Sequence, residues 1–161
     1  AYQRRGYIYN SRKRQDLAEQ DYLAALRENP THPIVYNNLG YMYFNQGKYE
    51  LAKVNFENSI KYSPTYAHPL NNLASVYGVF GENEKRLIAS DPANASQHQA
   101  QAKMYFEQAI EYFQRAIKAD KEFSEPYRLM AVTYRNLGDP ATAAKYDDLS
   151  KIYKGKGGQA N

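Results

Sequence analysis

The same residue types return every 34 positions along this 161-residue chain. Tyr2, Gly6, Tyr9, Ala18, Tyr22, Ala25 and Pro30 are followed, each 34 residues later, by Tyr36, Gly40, Tyr43, Ala52, Phe56, Ser59 and Pro64. A fixed period of this length marks an array of helix pairs, in which no pair buries its apolar face alone and neighbours must stack to close a core. The chain therefore reads as about four stacked helix pairs rather than as one ordinary globular core.

Composition narrows the class further. Hydrophobic residues make up 43% of the chain against only 9 Gly and 7 Pro, a balance that folds rather than stays disordered. No run approaches 18 uncharged apolar residues, so no membrane-spanning helix is expected. The chain holds no cysteine, which removes disulfides and thiol chemistry without fixing a compartment, inside or outside the cytoplasm. A net charge of +4 permits an acidic partner but does not call for nucleic acid.

The second period, residues 33–66, is the most regular. Tyr36, Leu39, Gly40 and Tyr43 fall at the spacing of one helical face, and Asn45-Gln46-Gly47-Lys48 is a turn with Gly47 suited to a left-handed cap. Leu51, Ala52, Phe56, Ser59 and Ile60 form the buried stripe of a second helix, which Pro64 stops. Aromatic Tyr36, then Leu39, Gly40, Tyr43, Gly47, Ala52, Phe56 and Pro64 make this segment resemble a tetratricopeptide repeat, with Ser59 in place of the usual alanine. The first unit matches at Tyr2, Gly6, Tyr9, Ala18, Tyr22, Ala25 and Pro30, and departs at Arg5 and Lys13.

The third unit opens in register with Leu70, Leu73, Ala74, Tyr77 and Gly81 and then breaks. Ala109, Phe113 and Ala116 come 57 residues after Ala52, Phe56 and Ser59, which is 23 more than one period. An insertion near 82–104 is therefore expected between the two helices of this unit. Glu82 to Ala95 reads as a loop with at most one turn at Glu84 to Ala89, and the second helix as starting near Ser96. Register returns with Tyr127, Ala131, Tyr134, Gly138 and Ala143. The resemblance thus implies an all-α, right-handed α-solenoid of antiparallel helix pairs over 1–154, with units near 1–32, 33–66, 67–123 and 124–154 and a flexible tail at 155–161. Tyr2 stands three residues short of a full first helix, which suggests a piece of a longer protein. Asp147 and Ser150 give the last unit a polar outer face suited to a cap.

In the family, the first helix of each pair lines a concave groove. Carried over, the groove residues are Arg4 and Tyr7 in the first unit and Asn37, Asn38, Tyr41 and Phe44 in the second. Asn71 and Asn72 follow in the third, with Arg128 and Arg135 in the fourth. Asn38 and Asn72 hold equivalent positions 34 apart, and a carboxamide can pair with the N–H and C=O of an extended chain whatever its side chains. Tyr7, Tyr41 and Phe44 would take apolar or proline-rich side chains, and the arginines would meet carboxylates. Members that clamp the carboxylate end of heat-shock chaperones use Lys and Asn in one repeat, Asn in the next, then Lys and Arg, of which only Asn38 is matched. Gln3, Tyr7, His68 and Asn72 replace the rest.

The resemblance implies a protein-binding scaffold or adaptor that holds a peptide or extended segment. Its alternatives are a self-associating structural module and, further off, an RNA-binding array. No enzyme is expected: no catalytic triad, metal-ligand spacing, phosphate loop or cofactor motif is present in the sequence. His32 and His68 precede prolines at unit boundaries, and His98 stands in the insertion with no carboxylate beside it in sequence.

Overall fold

Helical periodicity becomes eight α-helices and one 3-10 turn, with no strand, in a computed structural model that describes residues 2–11 and 15–154. Lys13, the 155–161 tail, and the side chains of Arg5, Tyr9 and Asn10 lie outside what is described. The helices are α1 (Tyr2–Ser11), α2 (Gln15–Glu28), α3 (Pro33–Asn45), α4 (Tyr49–Tyr62), α5 (Ala67–Ser90), α6 (Ala95–Ala119), α7 (Ser124–Asn136) and α8 (Pro140–Tyr153), with the 3-10 turn at Pro92–Asn94. Packing divides the chain into two compact units, with the boundary between Pro69 and Leu70 in the first turn of α5.

In the first unit, α1 packs on α2 and α3 on α4, while α2 and α3 join the two pairs. Small residues set how closely each pair approaches. A Cβ added at Gly40 would stand 2.8 Å from the Phe56 ring, and one at Gly6 would stand 2.9 Å from the Tyr22 ring. Ala18, Tyr22, Leu39, Ala52 and Phe56 are buried around these crossings. Ser59, the departure from the family alanine, is buried and donates from Oγ to the Pro33 carbonyl at 2.8 Å. The hydroxyl thus closes a bond that alanine would leave out. Tyr43 donates to Glu19 Oε1 at 2.7 Å and ties α3 to α2; burial first, then this carboxylate, pushes the phenol up to about 12.

Gly47 and Gly138 turn their pairs with φ of 72° and 79°, a conformation in which a side chain is strained. Leu51 departs from expectation. It is 48% exposed on α4, because Ala52, Phe56 and Ser59 hold the buried face and Leu51 begins the next strip round.

The second unit corrects the reading of the insertion. Glu82 to Ser90 is not a loop but the continuation of α5, and α6 begins at Ala95. These helices run 24 and 25 residues where α3 and α4 run 13 and 14, so the added chain is divided almost equally between them. Gly81, read from register as a turn glycine, is a buried helical residue whose Cβ would stand 2.6 Å from Phe106. It lies seven residues beyond Ala74, as Phe106 lies seven before Phe113, so the small-on-aromatic crossing recurs two turns further out. Ala102, Phe106, Ala109, Phe113 and Ala116 form one uninterrupted buried stripe.

Stacked tyrosines hold the flanks: Tyr77 on Tyr112 at 5.7 Å, Tyr127 on Tyr153 at 5.0 Å and Tyr134 on Tyr146 at 5.4 Å. Lys85, on the extended part of α5, reaches Asn136 at the end of α7, with Nζ 3.1 Å from Oδ1 and 3.4 Å from the carbonyl. A cation there meets the negative end of the α7 dipole.

Candidate functional site

The stripe that α3 leaves uncovered is set by how much of that helix is buried. Val35, Asn37, Leu39, Gly40, Met42 and Tyr43 are all buried, so packing takes most of the circumference. Among the residues left over, Ile34, Asn38, Tyr41 and Asn45 are spaced four, three and four residues apart along one line, while half-buried Tyr36 and Phe44 pack on Tyr62 and Tyr49 of α4. Ile34 is 38% exposed and Tyr41 49%, and on α1 Tyr7 is 61% exposed. Arg4 is exposed on α1. The first unit therefore presents apolar and carboxamide groups, with Arg4 as the expected charge.

Asn38 is half-buried and stands beside the Tyr22 hydroxyl, which has no exposed surface. Burial pushes the Tyr22 phenol up to about 12, Tyr7 adds to this, and the Asn38 side chain opposes it. The pair does not reach full hydrogen-bond geometry, so Tyr22 Oη is buried without a partner. Phe56 occupies the same register one period on, without a hydroxyl. Tyr22→Phe should accordingly leave stability unchanged or raise it by up to about 1 kcal/mol, because an unpaired buried polar group is removed. Thermal denaturation of the variant checks this, and a clear loss would mean that the hydroxyl is bonded in solution.

Several expected groove residues sit elsewhere. Asn37 and Asn71 are buried, 8% and 5% exposed, since each lies one position round from the open line and turns into the packing. Phe44 is half-buried and packs edge-on to Tyr49 at 5.3 Å, closing the α3–α4 turn. In the second unit, Arg128 binds Glu125 at 2.6 Å and Arg135 binds Asp147 of α8, both on exposed surface, so each arginine has an acidic neighbour that a ligand carboxylate would have to replace. Asp147, expected only as a polar cap residue, anchors that pair. Asn72 is half-buried on α5. Exposed Val132 lies between the two arginines on α7.

His98 is the site residue that sequence order concealed. Its Nδ1 lies 2.7 Å from Glu84 Oε2 and its Nε2 3.4 Å from Asp91 Oδ2. These carboxylates are 14 and 7 residues away in sequence and meet the ring only because α5 and α6 run back on each other. An acid on each side of a histidine, across an extended helical hairpin, is the signal that would have found them.

Antiparallel helix pairs, glycine at the aromatic crossings and a partly uncovered first-helix face define a helical-repeat binding module. Family models described as tetratricopeptide repeat match residues 33–66 and 98–123, and one described as TPR repeat matches 6–47. The chain belongs to the tetratricopeptide repeat family. No curated protein matches it by sequence.

Among solved structures it is similar to TTC0263, a thermophilic TPR protein of Thermus thermophilus. That match has a TM-score of 0.74 and 20% identity, covering 95% of this chain and 73% of that one. The first TPR of Spaghetti (RPAP3) bound to the HSP90 peptide SRMEEVD gives a TM-score of 0.65 and 14% identity, over 85% of this chain and 90% of that one. A monomeric mutant of IFIT1 with Gppp-AAAA gives 0.77 and 16%, over 89% of this chain but only 31% of that one. At these identities the likeness is one of fold. Tetratricopeptide domains are in general protein–protein interaction modules, and no helix among the described residues is long and apolar enough to cross a membrane.

Proposed function

We propose that this chain captures an extended protein segment on its first-helix faces as a scaffold or adaptor module. In the first unit Asn38 pairs with the segment's main chain, while Tyr7, Tyr41 and Ile34 hold its side chains. Asn72 holds the equivalent register in the second unit and offers the same carboxamide there. The observation that carries this reading is the open line of Ile34, Asn38, Tyr41 and Asn45 beside Tyr7, where large apolar groups stay exposed around a carboxamide. Such a surface favours an uncharged segment rich in apolar or proline residues over an acidic tail. Arg4 can meet a carboxylate at its edge. The relative bound to an HSP90 peptide supports the mode of binding, and the missing basic set on this chain argues for a different sequence in the bound segment.

A random linear peptide library displayed on phage and selected on the folded chain supplies the test. Binding of the best peptide is then read by fluorescence anisotropy. Tyr41→Ala should weaken it by roughly thirty-fold, as loss of an aromatic anchor does, and Asn38→Ala by about five-fold, one hydrogen bond's worth. Leu51→Ala, on the exposed strip of α4, should leave it unchanged. If no peptide is selected, or if all three variants bind alike, the reading fails. Concentration-dependent association in light scattering would then favour a self-associating module, and steeply salt-dependent capture of a single-stranded RNA oligomer an RNA-binding one.

A further inference from the structure

The extended hairpin of α5 and α6 ends in a short connection. Asp91 closes the last turn of α5, its amide donating to the Leu87 carbonyl at 2.8 Å, and Pro92–Asn94 make one 3-10 turn into α6. No aromatic crossing lies beyond Gly81 and Phe106 to hold this tip, since the buried stripe of α6 begins at Ala102. The His98 cluster takes that place. Its ring is 17% exposed, Glu84 reaches it from α5, and Asp91 reaches it from the connection while accepting from Asn94 Nδ2 at 2.8 Å.

We propose that Glu84, Asp91 and His98 form a pH-responsive clasp that fixes the tip of this hairpin when the imidazole is protonated. Both ring nitrogens face carboxylate oxygens, so both must carry hydrogen for both contacts to be attractive. Of the other charged side chains on these helices, Lys85 bonds Asn136, Arg86 bonds Asn83 and Lys103 pairs with Glu107, while Glu82 is exposed on α5 and Glu111, Arg115 and Lys118 lie on α6 more than a dozen residues beyond His98. Glu84 and then Asp91 raise the His98 pKa above its ordinary value, and Asn94 together with His98 lowers that of Asp91.

The sign follows from the raised histidine. Its contribution to the closed tip is complete below the ordinary value near 6.5 and is lost as pH rises through the higher folded value. The order of release follows from the distances. A neutral ring keeps one proton, and the shorter contact, 2.7 Å to Glu84, keeps it on Nδ1. Nε2 then turns a lone pair toward the Asp91 carboxylate, so the connection loosens while α5 and α6 stay joined through Glu84. The tip thereby also changes from one imidazolium against two carboxylates to two uncompensated carboxylates. The hairpin of this unit thus answers to alkalinisation in its shape and in its charge.

NMR of the intact chain tests the clasp. A nitrogen-detected titration of His98 should give a midpoint above 6.5, the ordinary histidine value, with the neutral ring protonated at Nδ1. Amide-exchange protection factors for residues 94–97 should fall several-fold across that midpoint, while those of α7 stay level. His98→Gln should abolish the pH dependence, and Asp91→Asn should lower the His98 midpoint while leaving Nδ1 protonated. A midpoint at or below the ordinary value, a neutral ring protonated at Nε2, or the same pH dependence in His98→Gln would overturn the proposal.

Discussion

Gly81→Val should destabilise the second unit by about 1–3 kcal/mol, the range expected when bulk is forced into a filled core. The new Cβ would stand 2.6 Å from Phe106 Cε1 and 2.8 Å from Cδ1 and Cζ. That ring is itself 2% exposed, so it has nowhere to step aside. The coupling to Phe106 separates two readings of one glycine. A turn glycine at positive φ would also resist valine, through backbone strain, but its cost would not depend on Phe106, whereas that of a helix-crossing glycine would. Phe106→Ala alone should cost more, about 3–5 kcal/mol. The double variant should cost less than the two singles together by about 0.5–3 kcal/mol, because the alanine opens the space that the valine needs.

Gly78, three residues away, is the internal control. An added Cβ there meets nothing within 4 Å, so Gly78→Ala should gain about 0.5–1 kcal/mol from helix propensity alone. Denaturant titrations of the parent chain and these four variants decide the matter, and an unperturbed Gly81→Val would sink the close-packed extension.

Phe56→Ala should be the most damaging single change in the first unit, at about 3–5 kcal/mol. The ring is fully buried over Gly40, and its loss leaves a cavity bounded by backbone on the α3 side. Leu51→Ala, on the same helix, should cost under about 1 kcal/mol, because nearly half of Leu51 already faces water. Chemical denaturation gives the totals, and hydrogen exchange should place the lost protection in α3 and α4. Equal costs at Phe56 and Leu51 would mean that the buried stripe of α4 is wider than it stands here.

Much of this was legible in residue types alone. Glycine or alanine against an aromatic ring is a local rule that survives any change of surroundings, so Gly40 with Phe56 and Gly47 in its turn could be read directly. The open positions Tyr7 and Tyr41 followed from the same register. The insertion was misread because loops and helix extensions share a composition when their residues are polar: Glu82 to Ser90 contains no proline and only the preceding Gly81 to suggest a break. The extended helices are joined at the Gly81–Phe106 crossing, a contact between residues 25 apart that no local pattern announces. The acidic neighbours of the arginines were hidden for a similar reason. Exposure and charge predict availability, but only packing reveals that Asp147 sits within reach of Arg135.

By itself the sequence determined the family, the unit length, the pairing of small and aromatic residues, and the helical face on which Asn38 and Tyr41 lie. A 34-residue period encodes these because each depends on neighbours within one repeat. Tertiary structure alone decided which polar residues are open, buried or already paired, and that the inserted segment is a doubled helical extension with His98 between two carboxylates at its tip. Those outcomes depend on which side chains from distant turns meet, and a helix carries no local mark of what will lie across from it.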